Sequence, residues 1–247
     1  MGLTLHYHLA AGDVSVEKAR EYVENLRQKA LDLPFQEVGR IVELEGKECE
    51  HQHSEGNPNA WMQLQGGIYV KLTEDRSLSV SATQIIGFTA FPGEGCESAE
   101  IGLATYPKTT RFRGEDVKVE QAEKGWSWGG FCKTQYASDP RCGGVKNFLR
   151  CHVTLIKLLD AAKELGILEE VYDEGEYWEK RDMEALANEI GEWNQALAAV
   201  AGQIQSELDQ EGQGACVEAP ITNYPNFEHL EAEGRAARER KADERAT

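Results

Sequence analysis

The sequence predicts an α+β protein whose mixed or antiparallel sheet is built from ferredoxin-like β-α-β units packed by two to three helices, with a long C-terminal amphipathic helix. Three observations support this fold class. Residues 1–45 and 126–175 each have a β-α-β pattern, residues 46–130 hold strands without helices between them, and residues 179–208 have a helical apolar repeat. A doubly wound parallel sheet would need a helix after nearly every strand, so we expect strands that pair directly with one another.

The first β-α-β pattern begins with LTLHYHLA, residues 3–10, in which large apolar side chains alternate with polar ones. This period of two is typical of a half-buried strand. One face would carry Leu3, Leu5, Tyr7 and Leu9, and the other would carry Thr4, His6 and His8. Ser15 is suited to cap the helix that follows, and Pro34 ends that helix. FQEVGRIVEL, residues 35–44, is the second predicted strand.

The middle of the chain predicts a polar loop followed by several strands. GKECEHQHSEGNPNA, residues 46–60, is rich in turn-forming residues and predicts an exposed loop. Strands are predicted at WMQLQGGIYVKL (61–72), TQIIGFTAF (83–91), AEIGLATYP (99–107) and WSWGGFCKTQYA (126–137). None of these segments is separated from the next by an apolar helical repeat, which favours antiparallel pairing.

The second half predicts a helix, a short strand and a long helix. Residues 143–166 have one apolar helical face that ends at Gly166, and ILEEVYDEG, residues 167–175, is a strand. The long amphipathic helix is predicted from Glu179 to Leu208. We therefore predict one α+β domain over residues 1–210, divisible into halves 1–124 and 125–210. An extended strap over 211–230 and a charged, disordered tail over 231–247 would follow.

The net charge argues against several classes of partner. The net charge is −17, which argues against direct binding of duplex nucleic acid and against an anionic membrane surface. No apolar run is long enough to span a bilayer, and the N-terminal residues lack a signal-peptide pattern. We therefore expect a cytoplasmic protein with reduced thiols. The oligomeric state is not predicted.

The acidic segment in the second half predicts a partner-binding surface. Glu169 to Glu192 hold ten acidic and two basic residues, interleaved with tyrosine and tryptophan. Aromatic residues anchor protein interfaces and charge steers approach, so this segment suits a partner protein with a basic surface. The predicted contact residues are Glu169, Glu170, Asp173, Glu174, Glu176, Tyr177 and Trp178. The alternatives are a solvated helix face, or a metal site at Asp173, Glu174 and Glu176.

A smaller basic group predicts an anion-binding site. In GGVKNFLR, residues 143–150, two glycines open a helix whose polar face carries Lys146 and Arg150. Free N–H groups at a helix start and nearby cations can bind phosphate or a carboxylate. The alternative is intramolecular, with this basic face lying near the acidic segment 169–192.

Histidines in the N-terminal half are candidate metal ligands. His6 and His8 would share a strand face, and His51 and His53 would share a face with Cys49 if CEHQH were extended. Such ligands suit a divalent transition metal, although loop histidines are often simply solvated. The turn FPGEGCESAE adds Glu94, Glu97 and Glu100 as carboxylates for metal binding or acid–base chemistry. No other cofactor is predicted, and the three cysteines of 132–152 are interpreted as buried thiols.

Together these patterns favour a non-catalytic acidic binding or regulatory protein that docks a basic partner through its C-terminal half. A partner that itself handles nucleic acid would have such a cationic surface. The alternative is a metal-dependent hydrolase that uses His6, His8, His51 and Glu97 for metal binding or acid–base chemistry.

Overall fold

The computed structural model describes residues 3–51, 56–210 and 219–246. The described strands are β1 (Thr4–Gly12), β2 (Glu37–Val38), β3 (Val42–Glu45), β4 (Ile68–Thr73), β5 (Arg76–Val80), β6 (Gln84–Phe91), β7 (Ala99–Thr105), β8 (Thr109–Phe112), β9 (Glu115–Lys118), β10 (Trp126–Lys133) and β11 (Leu168–Asp173). The described helices are α1 (Val16–Leu31), α2 (Ala60–Gln65), α3 (Gly144–Glu164), α4 (Tyr177–Lys180), α5 (Met183–Gln210) and α6 (Phe227–Ala246). None of these helices combines the length and apolar character that a bilayer crossing requires.

Seven strands form the main sheet in the order β11-β1-β10-β7-β6-β2, and β3 also pairs with β6. Every pair of neighbouring strands in this sheet is antiparallel. Two hairpins, β4–β5 and β8–β9, stand outside it. Helices and an antiparallel sheet therefore occur together, and the predicted α+β class is confirmed.

Strand β1 lies between β10 and β11, which are connected along the chain through α3. Because β1 is antiparallel to both β10 and β11, these two strands are parallel to each other and form a β-α-β unit with β1 between them. The chain after α1 instead reaches β2 and β3 at the opposite edge of the sheet. The more specific ferredoxin-like description stays a prediction.

One face of the sheet is buried beneath α1 and α3. On β1, the apolar side chains of the alternating pattern are at most 3% exposed, and they join one cluster with the apolar sides of both helices. Ser15 caps α1 by accepting a hydrogen bond from the Lys18 N–H. Gly130 leaves room for the Tyr7 ring, whose hydroxyl donates to the Glu100 carbonyl at 2.9 Å.

The opposite face of the sheet is covered only in part. Helix α2 packs over β6 and β7, where Met62 lies against Gly87. The strand predicted for residues 61–72 is wrong over its first five residues, because Trp61 to Gln65 belong to this helix. Met62 is buried whereas Trp61 is 64% exposed, so this short helix has one buried side and one solvated side.

The C-terminal helices differ from the predicted boundaries. Arg181 has a left-handed backbone (φ 53°) that separates α4 from α5, and the Asp182 carboxylate accepts the first N–H groups of α5. Helix α6 occupies residues that were predicted as the end of a strap and a charged tail. It packs along α5, where Gly234 allows its backbone to approach the carbonyl of Gln195. Residues 211–218 of the predicted strap lie outside the described residues.

Replacing Gly234 by alanine tests this helix packing. Alanine raises intrinsic helix propensity by about 1 kcal/mol, but its methyl group would collide with the Gln195 carbonyl oxygen. We expect amide hydrogen exchange over residues 227–240 to accelerate by about tenfold, since overpacking costs about 1–3 kcal/mol. Gly191→Ala is the matched control, because Gly191 lies in α5 with no atom within 4 Å of the added methyl group. Slower exchange over 227–240 in Gly234→Ala would contradict the packing.

Candidate functional site

Strands β10, β1 and β11 present one face of the sheet that no described helix covers. We call this surface the open face and define it by six residues that line one cavity of about 270 Å³: His6, His8, Gly129, Phe131, Glu170 and Tyr172. Tyr172 is 62% exposed and Phe131 is 39% exposed. Large aromatic side chains at such exposure are typical of a binding surface when they are grouped.

Strand register brings the aromatic rings of the open face together. His6 pairs with Phe131 on β10 and with Tyr172 on β11. Its ring centroid lies 6.1 Å from that of Phe131 and 6.0 Å from that of Tyr172. These separations place the three rings side by side across neighbouring strands.

His8 occupies the next position of the open face. It pairs with Gly129 on β10 and with Glu170 on β11. Its ring lies over Gly129, where the absence of a side chain makes room for it. The Nδ1 atom of His8 lies 3.4 Å from a Glu169 carboxylate oxygen, and Glu169 also accepts from Lys124 at 3.1 Å. The carboxylate of Glu169 is therefore engaged within the chain.

Two further cavities adjoin the open face. A cavity of about 610 Å³ shares His8 and Gly129 with it and is bounded by β4 and by the segment around Val117 to Gln121. A cavity of about 270 Å³ shares Phe131 with it and is bounded by α2 and the start of β7. Together they form a continuous concave surface that can hold an extended ligand.

The charge of this surface is uneven. The described residues that line the open-face cavity and the cavity beside α2 include Glu97, Glu100 and Glu170 but no lysine or arginine. The cavity of about 610 Å³ is mixed, because Lys71 and Lys118 line it together with Glu120. The exposed rings of Trp61, Phe131 and Tyr172 therefore lie in the acidic part of the surface, which suits a cationic ligand, whereas the exposed Tyr69 lines the mixed cavity.

The predicted partner-binding residues are divided between two places. Glu170 lies on the open face, whereas the residues after β11 are held by contacts within the chain. Glu174 accepts from the Thr4 N–H at 2.9 Å, and Glu176 pairs with Lys180. Tyr177 packs against the core.

The ring of Trp178 is also engaged within the chain. The Lys163 ammonium lies 5.7 Å and the Arg181 guanidinium 4.7 Å from the ring centroid. Both are cation–π distances. This predicted contact residue is half-buried and already holds two cations of its own chain.

The prediction of Asp173 as a partner-binding residue requires correction, because its carboxylate is buried and binds groups of its own chain. The residue is 4% exposed, and its oxygens accept from the Gly175 and Trp178 N–H groups at 2.8 Å. Nε2 of the buried His152 lies 3.2 Å from the same carboxylate, and Nδ1 lies 2.9 Å from the Thr134 hydroxyl. A proton on Nε2 satisfies both contacts, with Thr134 donating to Nδ1. These side chains join the end of β10, α3 and the turn after β11.

The predicted anion-binding residues lie near the start of α3. Lys146 is exposed. The Arg150 guanidinium donates to the Pro34 carbonyl at 2.7 Å and to the Asn147 side chain at 2.9 Å. These hydrogen bonds connect the segment after α1 to α3. They use much of the hydrogen-bond donor capacity of Arg150 within the protein.

The predicted histidine metal ligands are not all in the described part of the chain. His6 and His8 share the open face, His51 is exposed in the segment after β3, and His53 lies outside the described residues. Within the residues that the structure describes, no group of three or more His, Cys, Asp or Glu side chains is arranged to hold a metal ion. The four-histidine site stays a prediction.

Several residues of the concave surface were not among the binding residues predicted from the sequence. They include Phe131, Tyr172, Trp61 and Gln65. The alternation in WSWGGFCK could have indicated Phe131, because it directs this side chain to the sheet face opposite to that of Trp126 and Trp128. For Trp61 and Gln65, the strand interpretation concealed their position on a helix beside the sheet.

Comparison with protein-family models, with curated proteins and with solved structures found no match to this chain.

Replacing Asp173 by asparagine tests its structural role. Burial raises the pKa of this carboxyl, but the hydrogen bonds from His152 and from two backbone N–H groups outweigh burial and hold the pKa below its usual value. We expect Asp173→Asn to lower the free energy of unfolding by about 1–3 kcal/mol at pH 7, as measured by urea denaturation.

The effect of this substitution should depend on pH. Because the folded-state pKa is lowered, the ionised carboxylate contributes stability above its unfolded pKa of about 3.9. That stability is lost as the pH falls through the folded pKa, so the wild-type and Asp173→Asn curves should converge in acid. The control is Asp116→Asn on β9, where the side chain is 68% exposed. An equal effect of both substitutions at pH 7 would contradict the assignment.

Proposed function

We propose that this protein is a non-catalytic binding or regulatory protein whose open face binds the basic surface of a partner. The observation that carries the proposal is the side-by-side grouping of His6, Phe131 and Tyr172 next to Glu170 on an uncovered sheet face. Tyrosine and phenylalanine rings attract lysine and arginine side chains through cation–π interactions of about 0.5–2 kcal/mol each. A neighbouring carboxylate adds a charge-assisted hydrogen bond.

This proposal assigns partner contacts to only some of the residues that the charge pattern predicts. Glu174, Glu176 and Trp178 have partners within the chain, so they are less available to a second protein. Glu170 is exposed and lies beside rings with exposed faces. The net charge of −17 would attract a cationic partner over long distances, and the open face would supply the short-range contacts.

Weak and salt-sensitive binding is expected from such a surface. Ion pairs at exposed positions contribute about 0–1 kcal/mol. Salt screens them, because the Debye length is about 10 Å at 0.1 M salt and charges farther apart than this hardly interact. Several contacts must therefore act together to hold the partner. A partner protein that itself binds nucleic acid would present suitable cationic segments, and we retain this as an extension of the proposal.

The cytoplasm is the compartment that we propose. Cys49, Cys96, Cys132, Cys142 and Cys151 carry free thiols in the structure. Free thiols persist in a reducing compartment. This observation supports the proposal, and localisation of a tagged chain in the native host would test it.

Metal-dependent hydrolysis is the second candidate function. It is favoured by one observation, the placement of His6 and His8 on the same face of β1 beside cavities. Stoichiometric bound metal, lost in the His6→Ala/His8→Ala double variant together with a hydrolytic activity, would favour this function over docking.

Substitutions on the open face test the docking proposal. A tagged chain recovers its partner from the native host at low salt, and the affinity for that purified partner is then measured by calorimetry. We expect Glu170→Lys and Tyr172→Ala each to weaken binding by about tenfold, which corresponds to about 1.4 kcal/mol. Raising the salt concentration should weaken wild-type binding as well.

Glu179→Lys is the matched control, because it makes the same change of charge at an exposed position on α4 outside the open face. We expect the control to bind within about twofold of wild type. If Glu179→Lys weakens binding as much as Glu170→Lys, net charge alone determines the affinity and the open face is not the docking surface.

A further inference from the structure

The cavity beside α2 has a composition that sets it apart from the rest of the surface. Its volume is about 270 Å³, and six residues line it: Trp61, Gln65, Glu97, Ser98, Glu100 and Phe131. Phe131 also lines the open-face cavity, so a ligand on the open face can extend into this one. Two of the six residues are aromatic and two are acidic.

Glu100 is an unusual residue for the interior of a sheet. It is 2% exposed, and among the described residues its carboxylate accepts a hydrogen bond from the Thr89 hydroxyl at 2.7 Å. The Tyr7 hydroxyl and the Trp128 indole N–H donate to its backbone carbonyl and therefore do not stabilise the carboxylate directly. Burial raises the pKa of this carboxyl. A buried carboxylate without a cation is costly, and such costly groups concentrate at functional sites.

Further hydrogen-bond acceptors line the same cavity. The Oε1 atom of Gln65 is buried and has no hydrogen-bond partner among the described residues. Glu97 contributes a second, exposed carboxylate. The cavity therefore offers acceptors to a ligand that is rich in N–H donors.

The aromatic walls add a second requirement on the ligand. Trp61 is 64% exposed and Phe131 is 39% exposed, so both rings keep surface that a ligand can cover. A flat cation can stack on an indole ring while its N–H groups reach carboxylates at its edge. An ammonium group satisfies the charge but has three donors and no flat face.

We propose that the cavity between Trp61, Glu97 and Glu100 binds the guanidinium group of an arginine side chain that the basic partner supplies. This inference rests on the proposed docking function and names the chemical group that anchors it. The guanidinium stacks on the Trp61 ring, donates to the Glu100 and Glu97 carboxylates, and supplies the cation that the described residues around Glu100 lack.

The experiment uses the full chain and a defined probe, acetyl-Gly-Arg-Gly-amide. Matched peptides carry citrulline, which keeps the shape of the side chain without its charge, or lysine. Binding is followed by NMR through the indole N–H signal of Trp61, assigned with a Trp61→Phe sample. We expect a saturable shift with the arginine peptide, and affinity about tenfold weaker for the citrulline peptide and severalfold weaker for the lysine peptide.

Three variants locate the binding group, and intrinsic affinity is measured for each by calorimetry. Glu100→Gln removes the charge while keeping the volume, and Trp61→Ala removes an exposed ring with little expected effect on folding. Both should weaken binding of the arginine peptide by about tenfold. Leu31→Ala is the control, since Leu31 is 48% exposed at the end of α1 and lines none of the three cavities of the concave surface. It should bind like wild type.

The outcomes separate this inference from the docking proposal. Wild-type affinity in both Glu100→Gln and Trp61→Ala, or equal binding of the citrulline and arginine peptides, would overturn the arginine pocket. Docking would still stand if partner binding depends on Glu170 and Tyr172. Conversely, arginine binding that depends on Glu100, combined with partner binding that ignores Glu170 and Tyr172, would support the pocket and overturn docking on the open face.

Discussion

The alternation of side chains along β1 is the constraint on which the rest of the structure depends. A strand has a period of two, so burying Leu5, Tyr7 and Leu9 beneath α1 and α3 necessarily directs His6 and His8 to the other face. The antiparallel register with β10 and β11 then sets Phe131, Glu170 and Tyr172 beside these histidines. A shift of one residue in any of these strands would bury the open-face set and expose the core.

Incomplete covering of the second sheet face gives the molecule its concave surface. Helix α2 packs over β6 and β7, and β1, β10 and β11 line cavities beside this helix and beside the chain around β4 and β9. The acidic residues along the aromatic part of this surface have no lysine or arginine among their described lining neighbours. We propose that a cationic partner supplies the charges that the surface lacks, whereas the acidic residues after β11 are engaged within the chain.

Local patterns were enough to predict some of these features. The alternation in LTLHYHLA predicted which side chains of β1 share a face, and the mixture of helices and antiparallel strands followed from short-range patterns. Long-range contacts were not predictable in the same way. Phe131 joins His6 only through strand register, and Asp173 is buried because His152 and a tight turn surround its carboxylate. The charged residues of α6 predicted a disordered tail, whereas the structure has a helix in which Gly234 permits close packing on α5.

Carboxyl footprinting of the chain with its captured partner tests the central claim most directly. Exposed carboxylates are coupled to glycine ethyl ester with a carbodiimide, and labelling at each residue is compared by mass spectrometry with and without the partner. The open-face account predicts that Glu170 is protected, while the exposed Glu179 and Glu184 are labelled equally in both samples. Protection of Glu179 and Glu184 with unchanged labelling of Glu170 would contradict it.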